Sequence, residues 1–314
     1  MNSGQPHRQV YTSSSPHMIS GFQRRGLTKY LFVAPMLVFI ILMMGYPIFA
    51  NLQMGLYDVT VSTFRSGDAA YVGLDNYLDL IQDSSFLQAA SRSFTFTTVS
   101  ILLQFSIGFG LALFFSQPFP GNGILRAMLL LAWLLPAVVV GNIFRWMLDG
   151  DYGVFNYLLQ SVGILQGRQH WLLNPNTALL GTIVANAWVG IPFSLMLLLA
   201  GLQNISPSLY EAASIDGANI VDRFWHVTLP MMRPVALGVL LLTFIYTFKV
   251  FDLIFVMTAG GPVDATTVLP IQIYRLNFAF FRFSDGAAAA TLLLLGLFFL
   301  AVGYARVIQR EEAS

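Results

Sequence analysis

The 314-residue chain contains no cysteine and few charged residues. The absence of cysteine excludes disulfides, thiolate catalysis and zinc–thiolate sites. The four histidines lie far apart in sequence, and none of their spacings matches a metal-binding motif. Charged residues make up 10% of the chain and hydrophobic residues 56%, whereas an ordinary globular protein has about a quarter charged residues. A soluble domain needs more surface charge, so the bilayer must be the solvent for much of this chain.

Two further functions lack their sequence signatures. The net charge is +1, and the basic residues are scattered instead of forming the clustered stripe of a nucleic-acid-binding surface, so we expect no nucleic-acid partner. No glycine-rich loop ends in Gly-Lys-Ser or Gly-Lys-Thr, so the chain has no phosphate-binding loop of that type for ATP. Energy for any active process would come from separate subunits.

Six apolar segments are long enough to cross a bilayer, which takes about 20 mostly apolar residues. We predict an all-α membrane protein with six transmembrane helices. A signal peptide is the alternative for the first segment, but its apolar run exceeds the roughly 7–15 residues of such peptides. Pro136 and Pro192 fall inside the third and fourth spans, where we expect kinks that face other protein. The predicted spans are residues 30–50, 94–115, 124–148, 177–201, 235–257 and 287–307.

The positions of lysine and arginine predict the orientation, because cytoplasmic segments are enriched in them. With the N-terminus inside, nine of these residues are cytoplasmic and six are outside. We therefore expect both termini in the cytoplasm. Residues 1–28 form a polar leader that we predict to be disordered, residues 29–308 form the membrane domain, and residues 309–314 form a cytoplasmic tail.

The segment between spans four and five, residues 206–230, has the features of two short helices on the cytoplasmic side. Ser208 with Glu211 three residues later is typical of a capping box at a helix start. Gly217 can end that helix in a left-handed conformation. We expect a second short helix at about residues 219–228, followed by Leu229 and Pro230, which lead into span five.

This loop resembles the signature of the inner-membrane permease subunits of binding-protein-dependent ABC importers. That signature is Glu-Ala-Ala, three residues, Gly, nine residues, Ile, one residue and Leu-Pro. The spacing matches throughout, with Val227 in place of Ile. The resemblance implies the type I importer permease fold, with the loop forming coupling helices that dock on an ATP-hydrolysing subunit. The alternative is an amphipathic loop that only packs against the bundle. The residues expected at the coupling contact are Glu211, Ala212, Ala213, Asp216, Gly217, Leu229 and Pro230.

Further segments resemble the sugar-type branch of these importers, in particular the maltose and glycerol-phosphate permeases. The resemblance implies import of a sugar or related polyol across a bacterial or archaeal inner membrane. It also implies a second permease subunit, two ATPase subunits that bind ATP and magnesium, and an extracytoplasmic solute-binding protein. The chain itself would be no enzyme and would bind no cofactor. The segments are Val33–Pro35, Tyr46–Pro47, Gly73–Tyr77, Thr258–Pro262 and Ala265–Thr267.

Polar and aromatic residues in spans four and five are candidates for the substrate pathway. In each span three of them are spaced i, i+4 and i+7, which places them on one helical face. The aligned positions line the sugar site of the maltose permease. The alternative is that these residues mediate helix–helix packing, as small and hydroxyl residues often do in membranes. The candidates are Asn186, Gly190 and Phe193 in span four and Thr243, Thr247 and Val250 in span five.

Lys249 and Asp252 are the charged residues of the predicted fifth span. Because charges within membranes usually pair with one another, we predict an intramembrane ion pair or a gate contact. Lys249 could instead extend to the membrane surface. An ion-coupled secondary transporter is the competing function, with Asp252 as the candidate carboxylate. A membrane enzyme would need clustered His, Asp or Glu residues, which the spans lack.

Overall fold

The computed structural model describes the backbone of residues 21–312 and the side chains of residues 30–306. Residues 1–20 of the predicted disordered leader lie outside this range. Residues 21–28 of the predicted leader are helical and not disordered, since the first helix begins at Gly21 and continues into the first span. The last helix continues to Glu312, so the described part of the predicted tail extends that helix.

The chain forms two compact units, Met1–Ala50 and Asn51–Ser314, and the described residues of the first, from Gly21 onward, are helical. Helix α1 spans Gly21–Ile40, a π-helical segment spans Ile41–Gly45, and α2 spans Tyr46–Met54. The apolar run Tyr30–Met54 contains the predicted first span and has 25 residues. At 1.5 Å per residue it is about 37 Å long, enough to cross a hydrocarbon core of about 30 Å.

A small hairpin follows α2 in the second unit. Strand β1 (Tyr57–Asp58) pairs antiparallel with β2 (Ala70–Tyr71), with Tyr57 opposite Tyr71. Helix α3 (Val61–Ser66) connects the two strands, and α4 (Asp75–Gln82) follows them. The Asn76 side chain fastens α4 to the hairpin, since its Nδ2 donates to the carbonyl oxygens of Gly55 and Tyr57 at 2.9 and 3.1 Å.

The remaining helices form the bundle. Two π-helical segments interrupt them, Phe224–Thr228 between α11 and α12 and Arg275–Ala279 after α14. In chain order the helices are α5 Ser84–Ser116, α6 Asn122–Leu134, α7 Ala137–Met147, α8 Val154–Ser161, α9 Pro175–Gln203, α10 Pro207–Ile215, α11 Ile220–Arg223, α12 Leu229–Phe248, α13 Asp252–Thr258, α14 Leu269–Tyr274 and α15 Phe283–Glu312.

The long helices α5 and α9 form the centre of the bundle and pack along much of their length. Ala112 of α5 and Leu195 of α9 are fully buried in one apolar cluster, which Met232 of α12 completes. Burying apolar side chains against other helices replaces contact with lipid by close packing, and small residues such as Ala112 let helices approach. This arrangement places α5, α9 and α12 side by side.

The third predicted span is not one straight helix. Helices α6 and α7 meet at an angle of 96°. Pro136 lies at the bend, and Leu135 before it is extended, as residues preceding proline tend to be. The described residues contain five helices that are each long and apolar enough to cross a membrane, and a sixth span requires the bent pair to act as one.

The fifth span also differs from the prediction. The helix that contains it runs from Ile220 to Phe248 and therefore begins inside the predicted coupling loop. It ends nine residues before the predicted end at residue 257, and the chain turns at Lys249–Phe251 before α13 starts at Asp252. Lys249 thus caps the carboxyl end of one helix and Asp252 begins the next. Both charges interact favourably with the dipole of the helix end at which they lie.

Candidate functional site

A cavity of about 240 Å³ lies between α5, α6, α9 and α12. Asn186 is near the middle of α9, so this cavity is about half-way along that helix. Its lining is mainly apolar and aromatic with a few polar groups, which is the usual composition of a small-molecule site. We call it the central cavity, and its lining residues are Gln104, Trp133, Asn186, Val189, Gly190, Phe193, Thr243, Tyr246, Thr247 and Val250.

Two buried polar atoms of the central cavity have no hydrogen-bond partner in the protein. They are Nδ2 of Asn186 and Oγ1 of Thr243, whose residues are 7% and 3% exposed. Leaving such atoms unpaired costs free energy, about 1–3 kcal/mol for each in mutational studies. Unpaired donors that line a cavity are therefore available to a ligand or to water.

Three aromatic side chains form one wall of the central cavity. The Phe193 ring lies between the other two, with ring centroids 5.8 Å from Trp133 and 5.7 Å from Tyr246. The Phe193–Tyr246 pair is edge-to-face, an arrangement that the aromatic quadrupole favours. Such a wall presents flat apolar surface to whatever occupies the cavity.

All six residues that the sequence predicts for the substrate pathway line the central cavity. The i, i+4, i+7 spacing places all three α9 residues on one helical face, and Thr243 and Thr247 lie one turn apart on α12. Val250 lies in the turn after the end of α12 and reaches the same cavity from there, so the predicted helical face does not include it. Sequence reasoning missed Gln104, Trp133, Val189 and Tyr246. A signal existed for Gln104, since it is a carboxamide within a long apolar stretch of α5. For Trp133 no local pattern shows that the packing of α6 against α9 would bring it to Phe193.

The predicted ion pair between Lys249 and Asp252 is wrong. Among the side chains of residues 30–306, no salt bridge joins the two, and both residues are exposed. The helix break between them separates the side chains. Lys249 Nζ lies instead 5.0 Å from the centroid of the Tyr246 ring, close enough for a cation–π contact. Neither charged residue lines the central cavity.

The coupling loop begins with α10, which starts earlier than predicted. Ser206 is the residue before the helix and Pro207 is its first residue, a position that suits proline because no N–H is needed there. Ser208 is therefore inside the helix, and the predicted capping box with Glu211 is wrong. The Ser206 and Ser208 hydroxyls lie 2.7 Å apart.

Helix α10 ends at Ile215, and the φ of +82° at Gly217, two residues later, confirms the predicted left-handed conformation. The amide of Ala218 donates to the Ala213 carbonyl at 2.9 Å, and the amide of Gly217 donates to the Ser214 carbonyl at 3.2 Å. These two bonds are those of a Schellman motif, which satisfies the last carbonyls of a helix. The side chain of Asn219 then accepts from the amides of Val221 and Asp222 and starts the next helix.

The second predicted helix of the loop is not separate from span five. From Ile220 the chain passes through the π-helical segment directly into α12, so Leu229 and Pro230 are helical residues and not a connection. A proline at the second position of α12 is compatible with this continuity because the preceding turn is π-helical. The second half of the coupling loop and the start of span five are therefore one continuous helical element.

The coupling loop presents exposed apolar side chains next to its predicted contact residues. Ile215 is 87% exposed and Ile220 is 76% exposed, and Val221 and Trp225 are also exposed. Glu211, Ala212, Asp216 and Gly217 are exposed, while Ala213 is half-buried. A group of exposed apolar residues of this kind is typical of an interaction surface.

At the opposite end of the bundle, Arg275 holds the loop between α13 and α14. Its guanidinium forms a salt bridge with Asp264 and donates to the Ala259 carbonyl at 2.9 Å. The Arg275 hydrogen bond keeps the pKa of the Asp264 carboxyl below its ordinary value of 3.8. The loop contains three non-glycine residues with positive φ, namely Ala259, Val263 and Asp264. These conformations carry strain, which the Arg275 contacts offset.

In amino-acid sequence the chain is similar to transport proteins. The family model described as "Binding-protein-dependent transport system inner membrane component" matches residues 104–311. A trehalose/maltose transport system permease protein MalF from Thermococcus litoralis is 33% identical over 273 residues, covering 87% of this chain and 89% of the relative. The sn-glycerol-3-phosphate transport system permease protein UgpA from Agrobacterium fabrum is 29% identical over 287 residues, covering 91% and 96%.

Solved structures show the same fold. A bacterial ABC transporter involved in the import of the acidic polysaccharide alginate matches with a TM-score of 0.78 and 22% identity, covering 91% of this chain and 96% of that one. A chain of the methionine ABC transporter MetNI in an inward-facing conformation matches with a TM-score of 0.53 and 17% identity, covering 72% and 95%. These identities are low, so the likeness is one of architecture.

Proposed function

The chain belongs to the inner membrane components of binding-protein-dependent transport systems, and on this premise we propose that it forms half of the pathway for a sugar. Proteins of this family are multi-pass permease subunits of ABC importers, and ATP hydrolysis belongs to separate subunits. The chain is accordingly a transport component and not an enzyme. The relatives named for trehalose, maltose and glycerol phosphate support a sugar or related polyol as the solute.

The observation that carries the proposal is the central cavity. Its aromatic wall can contact the apolar face of a sugar ring, and its unpaired Asn186 and Thr243 groups can bond to hydroxyls. Four helices of this chain, α5, α6, α9 and α12, contribute to it, and we propose that a second permease subunit completes the enclosure. The residues proposed to line the solute pathway are Asn186, Gly190, Phe193, Thr243, Thr247 and Val250.

The coupling loop is the proposed contact with the ATPase. Its exposed apolar side chains and the continuity of the loop with α12 support this role, because a push on the loop would move the helix that carries Thr243 and Thr247. We propose two ATPase subunits, which bind ATP and magnesium, and a solute-binding protein at the other end. The proposed contact residues are Glu211, Ala212, Ala213, Asp216, Gly217, Leu229 and Pro230.

The distribution of lysine and arginine supports a cytoplasmic position for both termini and for the coupling loop. The ion-coupled alternative has no support. The relatives are ABC permeases, and Asp252, its candidate carboxylate, lies at an exposed helix start outside the central cavity.

The first experiment is to purify the tagged chain from its own cells in mild detergent and identify the copurifying proteins. We expect a second permease and an ATPase present in two copies. The purified complex, reconstituted in vesicles with the solute-binding protein, should accumulate a sugar only when ATP is supplied. Recovery of the chain alone, or as a homo-oligomer without an ATPase, would contradict the proposal.

A further inference from the structure

Gln104 contributes a carboxamide to the central cavity, and only one of its two polar side-chain atoms has a hydrogen-bond partner. The side chain lies in the middle of α5 among apolar residues and is 2% exposed. Its Nε2 donates to the backbone oxygen of Asn186 at 3.2 Å. Because a carbonyl oxygen can only accept, the nitrogen must face Asn186, and Oε1 is the atom left over.

The environment of Gln104 explains why position 190 is glycine. A Cβ placed on Gly190 would lie 2.2 Å from Cδ and 2.4 Å from Oε1 of Gln104. No side chain can occupy that space while Gln104 keeps its position, since real contacts of Cβ atoms are never so short. Gly190 therefore supports the Gln104 carboxamide across the α5–α9 interface.

The polar atoms of the central cavity form a set suited to an uncharged ligand. Gln104 Oε1 is an acceptor, Asn186 Nδ2 is a donor, and the Thr243 hydroxyl can do both. None of the ten lining residues, all of them described, carries a charge. A hydroxyl group can donate to Oε1, whereas a phosphate, sulfonate or carboxylate would place an anion against an acceptor without a cation to balance it.

We propose that Gln104 determines specificity by accepting a hydrogen bond from a hydroxyl of a neutral sugar, and that Gly190 acts through Gln104 instead of contacting the sugar. The inference rests on the proposed function and narrows its substrate class. Glycerol phosphate and acidic oligosaccharides are then poor solutes for this chain. The ring of the sugar lies against Phe193 while one hydroxyl reaches Oε1.

The test uses the complete reconstituted complex with its solute-binding protein and four labelled probes: maltose, trehalose, sn-glycerol 3-phosphate and an alginate oligosaccharide. We expect ATP-dependent uptake of a neutral probe and not of the anionic ones. Gln104→Met keeps the side-chain volume but removes both hydrogen bonds. It should lower uptake of that probe at low concentration roughly tenfold, the effect of losing one hydrogen bond to a ligand.

A double-mutant cycle separates the roles of Gln104 and Gly190. Gly190→Ala should displace the carboxamide and lower uptake about as much as Gln104→Ala, roughly tenfold, and the Gln104→Ala/Gly190→Ala double variant should be no worse than either alone. Gly110→Ala is the matched control. Gly110 lies on α5, the helix of Gln104, and a Cβ at that position meets no atom within 4 Å. Its uptake should equal the wild type. Membrane abundance and copurifying ATPase show whether each variant folds.

Monodeoxy analogues of the transported sugar supply a readout that a purely structural role would not change. The wild type should take up one analogue roughly tenfold more slowly than the parent sugar. Gln104→Met should take up that analogue and the parent sugar at the same rate. Normal uptake by folded Gln104→Met, additive losses in the cycle, or uptake of anionic probes alone would overturn the inference while leaving an importer. Uptake of none of the four probes would contradict the sugar function on which it rests.

Discussion

The hydroxyls of Tyr210 and Thr228 lie 3.0 Å apart and join the two halves of the coupling loop. Tyr210 belongs to α10, and Thr228 is the last residue of the π-helical segment before α12. Arg223 adds a second link through its contact with the Ser214 hydroxyl at 3.2 Å. Helix α10 is thus tied to the start of the helix that lines the central cavity.

Tyr210→Phe removes this link while keeping the ring. The loss of one partly buried hydrogen bond should cost about 1 kcal/mol and loosen α10 relative to α12. We expect the ATPase activity of the complex to respond severalfold less to solute-loaded binding protein, with basal hydrolysis retained. Tyr157→Phe is the control, because Tyr157 is 72% exposed. An unchanged response in Tyr210→Phe would show that the link does not transmit the signal.

Gly217→Val tests the left-handed end of α10. A residue with a Cβ at φ near +82° is strained by about 1–2 kcal/mol, so the helix end should rearrange. We expect less ATPase subunit to copurify with the variant, or hydrolysis that no longer follows solute. Gly67→Val is a matched control, since Gly67 has the same φ and equally open surroundings in the loop at the other end. Equal effects of both substitutions would point to general instability.

Thr243→Val separates stability from transport. The Thr243 hydroxyl is buried without a partner, so its replacement by a methyl group should raise the free energy of unfolding by about 1 kcal/mol while uptake falls. Thr182→Val should instead lower the free energy of unfolding, because the Thr182 hydroxyl donates to the Leu179 carbonyl at 2.7 Å. It should leave uptake unchanged, because Thr182 lies outside the central cavity. Thermal unfolding in detergent and vesicle uptake measure the two effects. A less stable Thr243→Val variant with normal uptake would exclude a ligand role for this hydroxyl.

The Arg275–Asp264 salt bridge predicts a pH dependence. The pKa of Asp264 is lowered in the folded protein, so its contribution to stability is present above the ordinary value of 3.8 and is lost as the pH falls through the lower folded value. We expect Asp264→Asn to lower the unfolding temperature at pH 7, and the difference from the wild type to shrink below about pH 4. Asp285→Asn tests a neighbouring pair of the same type.

High salt should weaken the effect of Asp264→Asn, because the Asp264 side chain is largely exposed and its salt bridge is screened. A difference from the wild type that stayed constant between pH 7 and pH 3 would show that Asp264 acts through packing and not through its charge.

The sequence predicted most of the proposed site because helical spacing is a local property. Asn186, Gly190 and Phe193 follow one another on one face of α9, whatever that face contacts, and the same holds for Thr243 and Thr247 on α12. Val250 lines the cavity from the turn after α12. Gly217 was predictable for the same reason, since a left-handed helix end depends on neighbouring residues. The role of Gly190 was not predictable, because it depends on Gln104, which is 86 positions away.

Hydrophobicity alone determined that this chain spans a membrane with helices, because about 20 apolar residues in a row leave few other stable solutions. The spacing of the coupling loop identified its family. Tertiary structure decided where the helices end and bend. A break such as the one between Lys249 and Asp252 separates charges that sequence spacing places together. The packing of α6 against α9 brings Trp133 to Phe193 at the central cavity. These features depend on packing between distant segments, and no local pattern encodes that packing.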